Sequence, residues 1–303
     1  MKNDPYDLRK PDFELRTPDP TKITDLLGRP IFEDSSCKTF EEILQKAIDQ
    51  KVQLDGADFR HWKLSNMTIS RLNLSNTYWD HSELENVKFE SVVFTDGSFR
   101  DTKYKDVTFD NAGFNGAKVN NSKWEKCSIN YCFMDKNTFK GTEFILSDFK
   151  ANFRDYFYFD RSTLNKCRFI GTDKLERTYF SNSQLNECEF KSTNKEQGLT
   201  LNYFVFQNTV ADRCVFDNVE FKSCYLAGLT CNQSKMQKIT LSNCIADGLN
   251  IDKESQVSIR ESRNTDVDKI QSVNMGVVSH VKQALSRGLG NVQKKFDIGL
   301  EIT

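Results

Sequence analysis

Nine cysteines and three histidines are the side chains of this 303-residue chain with the most chemistry to offer. Thiolates and imidazoles bind metal ions, and thiolates also form disulfides or attack electrophiles. Their placement argues for a quieter role. The cysteine count is odd, no CxxC pair occurs, and the stretch from Met1 to Pro20 lacks the apolar core of a secretory signal. Such a pattern is expected of reduced, structural thiols in a cytoplasmic protein. His61, His81 and Asp101 are evenly spaced along the chain. Two His and an Asp could hold a metal ion, but a solvated ladder on an outer face is the commoner use, so no metal and no cofactor are expected. His280 has no evident partner. No HExxH, GxSxG, Gly-rich phosphate loop or kinase set is present, so no catalytic residue is assigned and an enzyme is not expected.

Composition narrows the classes further. With 42 Lys and Arg against 43 Asp and Glu, the chain is no nucleic-acid binder that works by bulk positive charge. Its longest apolar runs are a few residues, too short to span a bilayer. Only 38% of the residues are apolar, yet 24 are Phe. Few apolar residues are used, and their positions explain why.

Every fifth residue from Phe59 to Phe149 is apolar or aromatic, 19 positions without a break. At the chain's own apolar frequency such a run has a chance on the order of one in a hundred million. Two residues before these positions the side chain is small in 15 of the 19 cases, as at Ala57, Thr77, Ser82, Ala112, Ser122, Cys127 and Cys132. The exceptions are Trp62, Met67, Leu72 and Asn137. Cys167, Cys188, Cys214, Cys224 and Cys244 fall in the same small slot further along. A period of five fits neither a helix at 3.6 nor a flat strand at 2.0. Two inward and three outward positions in every five describe one side of a coil that turns a corner at each repeat.

Ala57-Asp58-Phe59-Arg60 and Ala112-Gly113-Phe114-Asn115-Gly116 carry the A-[DN]-[LF]-x-x pattern, and here the chain resembles the pentapeptide-repeat family over residues 52–251. The resemblance implies an all-β solenoid: a right-handed quadrilateral parallel β-helix with about 20 residues per coil and about ten coils, near 48 Å long at about 4.8 Å per coil. Columns read one coil length apart agree, for example Ile69, Phe89, Phe109, Ile129, Phe149 and Phe169.

The ends and interruptions complete the expected organisation. Residues 1–38 hold all five prolines and read as an extended arm. Residues 39–51 read as an N-terminal capping helix, with Thr39 and Glu42 as a capping box and the oversized Trp62, Met67 and Leu72 placed to pack on it. The register slips near 150–158, and the polar stretch 191–200 reads as a loop. A less regular run follows, with gaps at Ala211, Cys231 and Ala246. Residues 252–303 form a C-terminal segment whose stretch 272–296 carries an amphipathic helical pattern.

Two features suit protein contact. Phe153, Tyr156, Phe157 and Tyr158 sit in a crowded aromatic stretch where a regular coil has room inside for fewer, so some must face outward. Val281, Leu285 and Leu289 line the C-terminal amphipathic face and could join two copies. The expected function is a non-catalytic protein–protein interaction scaffold whose partner is another protein. A distant resemblance to Qnr- and MfpA-type members implies an alternative, a DNA mimic that binds a type II topoisomerase such as gyrase. A third reading is a structural component of a larger particle. Charge weighs against mimicry: residues 1–50 carry net −3 and residues 261–303 net +1, which leaves the repeat region near +1.

Overall fold

A computed structural model of the chain describes residues 17–134, 137–150, 157–172, 174–194, 196, 198–226, 228–246, 248–252, 255–263, 265 and 271–272. The repeat region winds into a parallel β-solenoid of about nine turns. One column of the interior shows the count. Phe59, Trp79, Phe99, Val119, Phe139, Phe159, Phe180, Phe206, Leu226 and Ala246 are all buried and follow one another rung by rung. Ten rungs of this column enclose nine turns, in keeping with the about ten coils expected. This column belongs to the first of four faces; those centred on Leu64, Ile69 and Leu74 follow in chain order.

Strand pairing fixes the register. Leu64, Leu84, Tyr104, Trp124, Phe144, Leu164 and Leu185 align on the second face. Ile69, Phe89, Phe109, Ile129, Phe149, Phe169, Phe190 and Phe216 align on the third. The rings stack along these columns: Phe149 on Phe169 at 4.8 Å, and Phe169 on Phe190 at 4.6 Å. Stacked rings at the ladder spacing fill a narrow interior without a wide apolar core.

Corners recur two residues after most central apolar positions, where the backbone takes a positive φ, near 50–60° at the non-glycine residues. Asn and Asp hold many of these corners, and Gly116, Gly141, Gly228 and Gly248 hold others. Val, Ile and Thr hold none of the described non-glycine corners. The left-handed region crowds a branched Cβ and tolerates Asn, Asp and Gly, so the corner selects its residues as firmly as the interior does. At Gly116 an added Cβ would lie 2.4 Å from the Asp96 carboxylate, which leaves glycine as the fitting residue there.

The small slot also has a hydrogen-bonding rule. Ser122 Oγ donates to the Phe99 carbonyl at 2.6 Å, Ser162 Oγ to Phe139 O at 2.7 Å, and Thr209 Oγ1 to Phe180 O at 3.0 Å. Each acceptor is the central residue one coil earlier. A buried hydroxyl is costly unless it is bonded, and this carbonyl satisfies it.

Before the last paired coil, which is itself one residue longer, two coils are longer than the others, and neither disturbs the columns. One lies between the paired residues Phe159 and Phe180, the other between Phe180 and Phe206. The larger insertion emerges between Ser192 and Leu199, inside the stretch read as a loop. The apparent gaps at Ala211, Cys231 and Ala246 are occupied rungs: all three side chains are buried in register.

At the N-terminal end, α1 spans Phe40–Asp49 with Thr39 as its N-cap. Thr39 Oγ1 accepts the Glu42 N–H, and the Glu42 carboxylate accepts the Lys38 N–H at 2.6 Å, closing the box one residue earlier than usual. Phe40 stacks on Trp62 at 4.6 Å, and Met67 and Leu72 are partly buried against the core. Glu41 accepts the Ser65 N–H at 2.7 Å, which ties α1 to the first coil.

Within its described part, the expected extended arm is instead folded. β1 (Lys22–Asp25) and β2 (Pro30–Glu33) form an antiparallel hairpin, and β1 also pairs with β3 (Ala57–Asp58). Asp25 nucleates the turn by accepting the Leu27 and Arg29 N–H groups, with Gly28 at φ 77°. The prolines hid this turn in the sequence. The C-terminal amphipathic stretch 272–296 lies outside the described residues beyond Ser272, which is paired in a short strand with Ile251.

Candidate interaction surfaces

The reactive side chains are mostly interior. All nine cysteines are free and buried. Burial pushes the Cys127, Cys132 and Cys231 thiols up to about 12, far from the thiolate form that reacts or ligates. Cys167, Cys188 and Cys214 follow one another in a single column of small slots, and each thiol donates to the backbone carbonyl one coil earlier, at 3.2–3.5 Å. They do the work of the serines above and below them. Among the described residues, no three His, Cys, Asp or Glu side chains are grouped to hold a metal ion, and no helix is long and apolar enough to cross a membrane.

The aromatic stretch divides. Phe153 and Tyr156 lie outside the described residues, as do Val281, Leu285 and Leu289. Phe157 is only 2% exposed: it occupies the slot two residues before Phe159, so a ring fills a position that is small in most other coils. Its place is interior packing. Tyr158 points outward and is half-buried.

Tyr158 begins a surface that the sequence did not reveal. On the first face, the outward position before each central residue is Tyr158, Tyr179, Val205, Tyr225 and Ile245 in five successive coils. The Tyr158 and Tyr179 rings lie 6.2 Å apart. Tyr203, 44% exposed, stands at the corner leading into Val205. At about 4.8 Å per rung, the stripe is about 19 Å long. The next outward column on this face holds Asp160, Ser181 and Gln207, and the corners hold Arg161, Asn182, Asn208 and Gly228, so amides and small groups border its middle.

A second apolar patch lies on the fourth face. Val93, Gly113 and Phe133 are successive rungs of one outward column, and Tyr131 stands at the adjacent corner. Phe133 and Tyr131 are 52% and 53% exposed. Apolar rings this open to water are uncommon on a monomer surface unless something covers them.

The second face is the opposite in character. Its outward columns alternate in sign along the first coils, with Glu83 between Lys63 and Lys103, and Glu85 beside Lys105. The flanking lysines hold the Glu83 carboxyl below its usual range, through hydrogen bonds from Lys103 and then Lys63. On the third face Lys88 pairs with Glu90 and Arg168 with Asp148. These charges neutralise one another, most of them across coils and Lys88 with Glu90 along one strand.

A five-residue repeat that builds one side of a four-sided parallel coil defines a pentapeptide-repeat solenoid, and this chain has that architecture. Among solved structures it is similar to HetL, a pentapeptide-repeat protein involved in heterocyst differentiation regulation from the cyanobacterium Nostoc sp. strain PCC 7120, with 8% identity over 76% of this chain and 93% of that one and a TM-score of 0.29. It is also similar to full-length QnrB1, a plasmid-mediated fluoroquinolone resistance protein, with 12% identity over 60% of this chain and 94% of that one and a TM-score of 0.44. No family model and no curated protein sequence matches the chain. Likeness at this level speaks to the fold alone.

Proposed function

We propose that this chain is a non-catalytic protein-interaction scaffold, a rod whose interior fixes its shape and whose outer faces bind another protein. The observation that supports this most is the outward stripe Tyr158, Tyr179, Val205, Tyr225 and Ile245. Interfaces concentrate their binding energy in a few aromatic side chains that exclude water, and a contiguous Tyr-rich strip supplies them. The test is affinity capture from the native cell with the wild-type chain and with Val205→Asp. A partner held by the wild type and lost from Val205→Asp supports the reading. A partner recovered equally by both removes the stripe as its binding face.

Topoisomerase mimicry is the weaker reading, because the described rod surface alternates in sign where a phosphate mimic needs a continuous negative face. The expected result in a gyrase supercoiling assay is no inhibition at micromolar protein. For Val281, Leu285 and Leu289 the matching proposal is a homodimer contact, and deletion of residues 273–303 halves the mass in solution if it holds.

A further inference from the structure

The sequence after Ser272 carries Val278, Val281, Leu285, Leu289, Val292 and Phe296 at steps of three and four residues. Such steps keep apolar side chains on one narrow stripe of an α-helix. Gly288 and Gly290 weaken that helix, and a short helix is marginal in water until its apolar face is packed. The pattern therefore calls for a surface to lie on.

The end of the described chain says which surface is within reach. Ser272, the last described residue, pairs with Ile251 on the second face, one rung beyond it. Ile251 follows Ile245 around one corner, held by Gly248. Ile245 is the last member of the outward stripe on the first face. From Ser272 to Val278 the chain reaches up to about 20 Å when extended, against one corner and one rung to cover. From Ile245 the stripe runs back over Tyr225, Val205 and Tyr179 to Tyr158, a length of about 19 Å. From Val278 to Val292 an α-helix advances about 21 Å and carries five of the apolar side chains. Their mean step of about 5.3 Å is close to the rung spacing of about 4.8 Å, so each meets one rung. The middle rung leaves a notch, because Val205 is smaller than Tyr179 and Tyr225 on either side. Tyr203 stands at the corner beside that notch. Leu285 is the middle residue of the helical five.

We propose that residues 278–292 of the same chain cover this stripe as an α-helix running back along the rod, with Leu285 seated at Val205. An amphipathic helix laid on an apolar surface is a recurring mode of recognition. The tail then competes with the protein partner for one surface, a consequence that rests on the stripe being the partner's binding face. Exchanged between two copies, the same contact gives the homodimer through Val281, Leu285 and Leu289.

The experiment uses the full chain, purified alone, with a photo-crosslinking phenylalanine analogue in place of Tyr225. At about 1 µM chain, so short a tether holds the tail at an effective concentration far above that of any second copy. Illumination should give an adduct of single-chain mass whose crosslinked peptide lies within 273–296. Leu285→Asp sets a charge against the stripe and should lower the yield at least about tenfold. Gln283→Asp adds the same charge on the polar side of the helix and should leave the yield unchanged. No adduct within 273–296 would overturn the proposal, as would a yield unchanged in Leu285→Asp or lost equally in Gln283→Asp. An adduct of twice the chain's mass would overturn it in favour of the exchanged contact between two copies. No partner is present in this assay, so its failure is told apart from failure of the scaffold reading, which capture with Val205→Asp tests.

Discussion

Between Thr77 and Phe149 the rod pairs a central apolar residue with a small neighbour two positions earlier at every rung but the one holding Asn137. Beyond Phe159 some rungs depart from this pattern. Cys231 is a small central residue, and Leu229 fills the slot beside it; both are buried. Phe204 shares its rung with Phe206, and Leu199 occupies a slot where Gly171 makes room, since a Cβ on Gly171 would meet Leu199 Cδ1 at 2.9 Å. Rung volume is not fixed either: Phe204 and Phe206 share one rung of the first face, while Cys244 and Ala246 share another two coils on, all of them buried. The outer surfaces differ as sharply. Early coils carry Lys and Glu that neutralise one another, while the later coils of the first face carry the Tyr-rich stripe.

The largest expected effects break the interior comparison. Phe109→Ala removes a ring that touches Phe89, Phe94, Phe114 and Trp124, and should cost about 4 kcal/mol in chemical denaturation. Leu229→Ala should cost about 3 kcal/mol although it sits in the slot that is small in most other coils. A loss under about 1 kcal/mol there would show that Leu229 does not carry the packing of its rung.

A smaller effect follows from the thiols. Cys127, Cys132 and Cys231 are raised from about 9 to about 12 in the folded chain by burial. Between those values the unfolded chain releases protons that the folded chain keeps, so stability is full below about pH 9 and falls as pH rises toward 12. Alkaline unfolding should begin above pH 9, and iodoacetamide should leave all three thiols unlabelled at pH 8 until denaturant is added. Labelling without denaturant would contradict their burial.

The smallest effect concerns the charged second face. Lys103→Ala breaks a half-exposed pair with Glu83 and should change stability by about 0.5 kcal/mol or less, with the difference shrinking further in salt. A larger loss would mean that the ladder holds the rod together.

Much of the fold was legible because the central residues keep a period of five from Phe59 to Phe149, and the Thr39–Glu42 signal stood before α1. Rungs with a small central residue were not, since Ala211 and Cys231 look like breaks unless the pairing partner is known. The stripe was hidden for a geometric reason. Its members are unevenly spaced along the chain, because two coils carry insertions, and no fixed period finds them. Tyr158 was visible as part of a crowded aromatic stretch, but crowding alone could not separate it from Phe157, which turns inward. The stacking of His61 on His81 followed directly from their spacing of one regular coil.

The stripe as binding face is tested most directly by placing a photo-crosslinking phenylalanine analogue at position 225 and, in a second preparation, at position 105 on the charged face. Illumination of the chain with its captured partner should yield a covalent adduct from position 225 and none from position 105. An adduct from position 105 with none from position 225 would contradict the account.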